Sequence, residues 1–140
     1  MTDIFEKQKR SEIMSRIRAY DTKPEMIVRS VLHRAGYRFR LHRASLPGKP
    51  DIVLARYCTA IFVQGCFWHQ HKGCRRATMP KSNREYWMPK LLRNVERFKE
   101  VSYKLTTMGW QVVEIWECET RDLLKLENKI KLILKRDCSE

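Results

Sequence analysis

The sequence predicts an α/β domain in which helices pack against a mixed sheet. Three observations lead there. Helically spaced segments and short apolar runs alternate in the order helix, three strands, helix, strand, helix. Asp51–Ala55 and Thr59–Val63 are apolar runs separated only by a polar turn, which is most simply a hairpin. Trp110–Trp116 is a strong strand set between two helical segments.

Each element has its local reason. Residues 1–20 carry Ile4, Phe5, Ile13, Met14 and Ile17 among many charges, and are expected to form a basic N-terminal arm with some helix. Residues 21–140 are then expected to form a single domain. Thr22-Lys23-Pro24-Glu25 reads as a capping box with proline in the first turn. It opens an amphipathic helix with Met26, Ile27, Val31 and Leu32 on its apolar face, ending near Gly36. Tyr37–Leu41 reads as a strand, Leu46–Pro50 as a turn, and residues 65–82 as irregular, with Gly65, Gly73 and Pro80 as breakers. Ser82-Asn83-Arg84-Glu85 reads as a second capping box, followed by a long helix to Met108. Its inward face would carry Leu91, Leu92, Val95, Phe98, Val101 and Leu105, with Pro89 bending it or splitting off a first turn. Gly109 stops it, and Thr120 is expected to cap a last helix bearing Leu123, Leu124, Leu126, Ile130, Ile133 and Leu134.

Composition narrows the function. The chain has 140 residues, enough for one domain with a hydrophobic core. Its 29 Lys and Arg against 16 acidic residues leave a formal charge of +13, which favours a polyanionic partner, nucleic acid above all. No apolar stretch approaches the roughly 18 residues of a membrane span, and the first residues lack a signal-peptide pattern, so a cytoplasmic protein is expected. Disulfides are not expected in that compartment. Of the five cysteines, Cys58 reads as a small core residue and Cys138 as incidental, leaving Cys66, Cys74 and Cys118 to explain.

The chemistry concentrates between Pro50 and Cys74. Asp51 opens an apolar strand, a common way to hold a catalytic divalent cation. Cys66 to Cys74 then supply two thiols, two imidazoles and two large aromatics within nine residues. Thiolate and imidazole are preferred zinc ligands, and a closed tetrahedral site takes four of them. Cys66, His71 and Cys74 converge from one loop, and Cys118, just past the strand ending at Trp116, is the expected fourth. The plainer alternative is unrelated buried thiols beside a surface histidine.

Pro47-Gly48-Lys49-Pro50-Asp51, Gly65-Cys66-Phe67-Trp68-His69 and Trp116-Glu117-Cys118 resemble the very-short-patch mismatch repair endonucleases, the Vsr family. So do Asn94-Val95-Glu96-Arg97 and Gly109-Trp110, and the likeness runs in order from about residue 8 to 118. The resemblance implies a restriction-endonuclease-like fold with a structural zinc. It implies magnesium-dependent nicking of duplex DNA on the 5′ side of the thymine in a T·G mismatch, which arises when 5-methylcytosine deaminates. It puts Asp51 on the magnesium with the backbone carbonyl of Val63, His69 as activator of the attacking water, and Glu25 in support. Cys66, His71, Cys74 and Cys118 match the zinc ligands, while Phe67, Trp68 and Trp87 match aromatics that wedge beside the mismatch. Expected partners are T·G-containing duplex DNA, bound by a monomer at the nucleoid, and a link to a cytosine-5 methyltransferase and repair proteins.

Plainer roles compete. Glu25 has a capping task, Asp51 can end a turn, Trp87 can be helix core, and His33 and His42 receive no functional role. Gln64 stands where the family usually has a second active-site histidine; an amide donates a hydrogen bond but transfers no proton at neutral pH. Gly73 also lengthens the stretch from His71 to Cys74. The alternatives are a related endonuclease of other duplex specificity and a zinc-stabilised DNA-binding protein that does not cut. Gln64 favours the second, and retention of Asp51 with His69 opposes it.

Overall fold

The computed structural model describes residues 22–75, 77 and 82–135. The expected basic arm of residues 1–20 lies outside the described residues. The elements are α1 (Lys23–Arg34), β1 (Arg40–Leu41), β2 (Ile52–Leu54), β3 (Thr59–Gln64), α2 (Arg84–Thr107), β4 (Gln111–Trp116) and α3 (Leu123–Ile133). Their order is the one expected. The four strands lie in sequence order across one mixed sheet: β1–β2 and β2–β3 antiparallel, β3–β4 parallel. The parallel pair is joined through α2, because a parallel return needs a long crossover.

Strand alternation sorts the core into two layers. On one face Ile52, Leu54, Ile61, Val113 and Ile115 meet Val28 and Leu32 of α1 and Leu126 and Ile130 of α3. On the other, Val53, Ala60 and Phe62 meet Leu105 of α2, with Phe98, Val101 and Trp110 packed around them. β2 and β3 are buried on both faces, which explains their nearly unbroken apolar runs.

Several local expectations are corrected. On α1 the fully buried apolar residues are Val28 and Leu32, while Met26 is half exposed. The Thr22 hydroxyl accepts the Glu25 N–H, the first half of a capping box, but the Glu25 carboxylate turns to Arg29 and His42 instead. Of the strand expected at Tyr37–Leu41, only Arg40–Leu41 pairs. Asn83 precedes α2 in the left-handed region with no side-chain cap, so the second capping box is not formed. α2 runs without interruption through Pro89, and Leu92 faces outward where Trp87 is buried. Asp122, not Thr120, caps α3; Thr120 lies in a 3₁₀ turn and donates to the Glu117 carbonyl. Leu123 and Leu124 are exposed. Cys58 is disulfide-bonded, against the expectation of a free packed thiol.

One glycine is required by the fold. Gly48, at φ 73°, lets the turn before β2 press onto α2, where an added Cβ would stand 2.4 Å from a Val101 methyl.

Candidate active site

Asp51, one residue ahead of β2, accepts the Val63 N–H from β3 at 2.8 Å. N–H and C=O of one extended residue point to the same neighbour, so the Val63 carbonyl faces the same edge. Burial, followed by the nearby Glu25 carboxylate, pushes Asp51 up to about 7, against the opposing pull of the Val63 N–H and Arg29. Glu25 is 1% exposed and belongs to α1. Its carboxylate forms an ion pair with Arg29 one turn on, and its Oε1 lies 3.0 Å from His42 Nε2. Glu25, His42 and Asp51 each place a ligand atom within 4.8 Å of the others, a spacing that fits one octahedral cation.

His42 is the residue that sequence reasoning missed. The signal was available: closing the chain on the Leu46–Pro50 turn brings residue 42 opposite 51. The structure extends the Leu41↔Ile52 register by a hydrogen bond from His42 N–H to the Asp51 carbonyl, at 3.1 Å.

Gln64 ends β3 at 3% exposure, and its Nε2 is buried with no acceptor among the described residues. A buried amide left without a partner is costly, which fits a donor waiting for a ligand oxygen. His69 Nδ1 is likewise buried with no partner among the described residues, and burial lowers the imidazole pKa, favouring the neutral ring. Its ring lies edge-on to Phe98 and Trp116. Asp51, Gln64, His69, His42, Asn94 and Trp68 all line one cleft of about 790 Å³. Lys49 and Arg97 add positive charge to its wall.

The aromatics form a cluster beside this cleft. Phe67, Trp68 and Trp87 have ring centroids 5.5–5.7 Å apart. Phe67 and Trp68 are half-buried, whereas Trp87 is 5% exposed and backs them from α2. The Asn94 amide donates to the Trp68 carbonyl at 3.4 Å, fastening the loop to α2.

The Cys/His cluster sits at the end of the parallel pair. The β3–β4 register closes with Gln64↔Trp116, so Cys66 and Cys118, each two residues further, emerge side by side. His71 N–H bonds to the Cys66 carbonyl and Cys74 N–H to the His71 carbonyl, turning the loop back on itself. The ligand atoms of Cys66, His71, Cys74 and Cys118 lie within 4.8 Å of one another. Cys118 Sγ is 3.5 Å from His71 Nδ1. Sulfur and nitrogen ligands at about 2.3 and 2.0 Å from a tetrahedral ion are separated by about 3.5 Å. The His71 ring stacks on Trp116 at 4.1 Å and 10°, which fixes its orientation. Burial, with the adjoining thiols of Cys118 and Cys74, pushes Cys66 up to about 12. The four residues named from the sequence are thus brought together as a group able to hold a metal.

Comparison with known proteins gives a consistent assignment. The family model described as DNA mismatch endonuclease Vsr matches residues 2–76. The type II nicking enzyme V.XorIIP of Xanthomonas oryzae pv. oryzae is 46% identical over 134 residues, covering 96% of this chain and 98% of that protein. The type II nicking enzyme V.NmeAIP of Neisseria meningitidis is 43% identical over 87% of this chain and 86% of its own. The DNA mismatch endonuclease Vsr of Escherichia coli K12 is 40% identical over 92% of this chain and 82% of its own.

Proposed function

Because the chain belongs to the Vsr family of DNA mismatch endonucleases, we propose that it nicks duplex DNA on the 5′ side of the thymine of a T·G mismatch. The observation that carries this reading is the joint presence, in one cleft, of the Asp51 carboxylate, the His69 imidazole and a Gln64 amide with no acceptor among the described residues, with the buried Glu25 carboxylate adjoining Asp51.

Asp51 and the Val63 carbonyl would hold a magnesium ion, with Glu25 beside them. When bound, the ion stabilises charge on the phosphate and lowers the pKa of water. His69, kept neutral by burial, takes the proton of the attacking water. Gln64 donates Nε2 to a phosphate oxygen, stabilising charge there without transferring a proton. Attack at phosphorus breaks the bond to the 3′ oxygen, leaving a 5′-phosphate on the thymine and a 3′-hydroxyl on its neighbour.

Recognition is assigned to the aromatic cluster. Phe67 and Trp68 are the side chains offered to the base stack, and Trp87 supports them from within the fold. Unstacking a step costs a few kcal/mol, and a mismatched step resists less. The +13 charge supplies sequence-independent attraction to phosphates. Cys66, His71, Cys74 and Cys118 would hold a structural zinc that keeps the loop carrying Phe67, Trp68 and His69 in place. The companion of such an enzyme is a cytosine-5 methyltransferase, whose deaminated product is its substrate.

The test is a nicking assay on end-labelled T·G, T·A and C·G duplexes with magnesium, using the parent protein and Asp51→Asn. Nicking of T·G alone, abolished in the variant, is expected. Nicking of matched duplex equally well would point to an endonuclease of other specificity. An intact T·G strand across several flanking contexts, with tight duplex binding, would mean a DNA-binding protein that does not cut, the reading that glutamine at 64 favours.

A further inference from the structure

His42 stands in the cleft without a role in the scheme above, yet the fold holds it there closely. It is a non-glycine residue at φ 46°, a conformation that costs energy and gathers at sites where a side chain must be aimed. Its backbone N–H is tied to the Asp51 carbonyl, so the side chain is delivered opposite Asp51 whatever its rotamer. Its Nε2 lies 3.0 and 3.2 Å from the two oxygens of Glu25, with Arg29 Nη2 at 3.4 Å. Arg29 pairs with Oε2, leaving Oε1 as the oxygen nearest the imidazole. Three separate elements, α1, the end of β1 and the start of β2, therefore bring one nitrogen and two carboxylates within 4.8 Å of one another.

Resting on the cation-dependent reading above, we propose that His42 Nε2 is a ligand of the same cation as Asp51 and Glu25, making this a mixed nitrogen–oxygen site that favours manganese over magnesium. Magnesium prefers oxygen ligands and sheds its water reluctantly, whereas imidazole raises affinity for first-row transition ions. An all-oxygen site would discriminate less between the two. Glu25 acts here as a direct ligand, and Arg29 offsets its charge in the absence of the ion.

The experiment uses the full-length, zinc-loaded protein with manganese as the probe. Electron spin-echo spectra of the manganese-bound parent should show a directly coordinated ¹⁴N. That coupling should vanish in H42Q and persist in H69A, which removes the other imidazole of the cleft. By calorimetry H42Q should lose about tenfold or more in manganese affinity, with magnesium affinity changed by about twofold or less. A parent spectrum with no ¹⁴N coupling, or one that survives unchanged in H42Q, overturns the assignment, and the parent spectrum decides even if H42Q folds poorly. D51N separates the two layers of the argument. Loss of manganese binding in D51N with an unaltered H42Q spectrum overturns the His42 ligand alone. Unchanged binding in D51N overturns the cation site, and His42 with it.

Discussion

Asp51→Asn should stabilise the cation-free protein while abolishing nicking. The side chain is held by the Val63 N–H, which Asn Oδ1 can also accept, and the change is isosteric. What the substitution removes is a charge placed beside Glu25 and partly withdrawn from water. The folded carboxyl is raised from the ordinary 3.8 to about 7, so the folded state binds this proton more tightly than the unfolded chain does. The sign follows: this group costs nothing below about pH 4, where both states are protonated. It costs progressively more from about 4 to 7 and its full amount above that. The interval corresponds to a ceiling of about 4 kcal/mol. Solvent in the cleft reaches this half-buried side chain, so on the order of 1–2 kcal/mol is the expected gain. Urea unfolding in metal-free buffer at pH 4, 5, 6, 7 and 8 reads it directly. The variant should match the parent at pH 4 and exceed it by an amount that grows to pH 7 and then levels. Magnesium should stabilise the parent and not the variant. A variant less stable than the parent at pH 8, or an advantage independent of pH, would refute the argument that Asp51 is a charge stored for a cation.

The Cys66, His71, Cys74 and Cys118 cluster should retain one zinc through purification, and Cys118→Ala should lower both zinc content and unfolding midpoint, read by elemental analysis and thermal melts. Trp68→Ala should erode the preference for T·G over T·A duplex in competition binding, while leaving matched-duplex affinity and its steep salt dependence nearly intact. Gly48→Ala should destabilise by about 1–3 kcal/mol in chemical unfolding, since it forces a positive φ on alanine and a clash with Val101. Gln64→His should raise the single-turnover nicking rate if an imidazole at the end of β3 limits turnover, with no change in zinc content.

The sequence by itself determined the order of elements, because periodicity and apolar runs are local properties of the chain. The Cys/His cluster able to hold a metal was legible for a related reason: three of its four members, Cys66, His71 and Cys74, share one loop. The hairpin was visible in local patterning, whereas the link between Asp51 and Val63 came from the family resemblance; in the structure the Val63 N–H donates to Asp51. Caps were less legible. Thr120 and Ser82 have capping chemistry, but Asp122 and a left-handed Asn83 take those places because tertiary packing sets where each helix can begin. Met26, Leu92, Leu123 and Leu124 were equally apolar on paper as their buried neighbours; only the angle at which each helix meets the sheet decided which were covered.

The tertiary structure alone brought Glu25 and His42 together beside Asp51. Glu25 satisfies a capping pattern locally, yet its burial beneath α1 turns the carboxylate inward to Arg29 and His42. His42 gains meaning only when β1 pairs with β2: the Leu46–Pro50 turn offers that register, but the two-residue strand carries too little pattern to select it. Cys118 needed the parallel β3–β4 register to reach Cys66, a pairing set across more than fifty residues by packing through α2 rather than by any local signal.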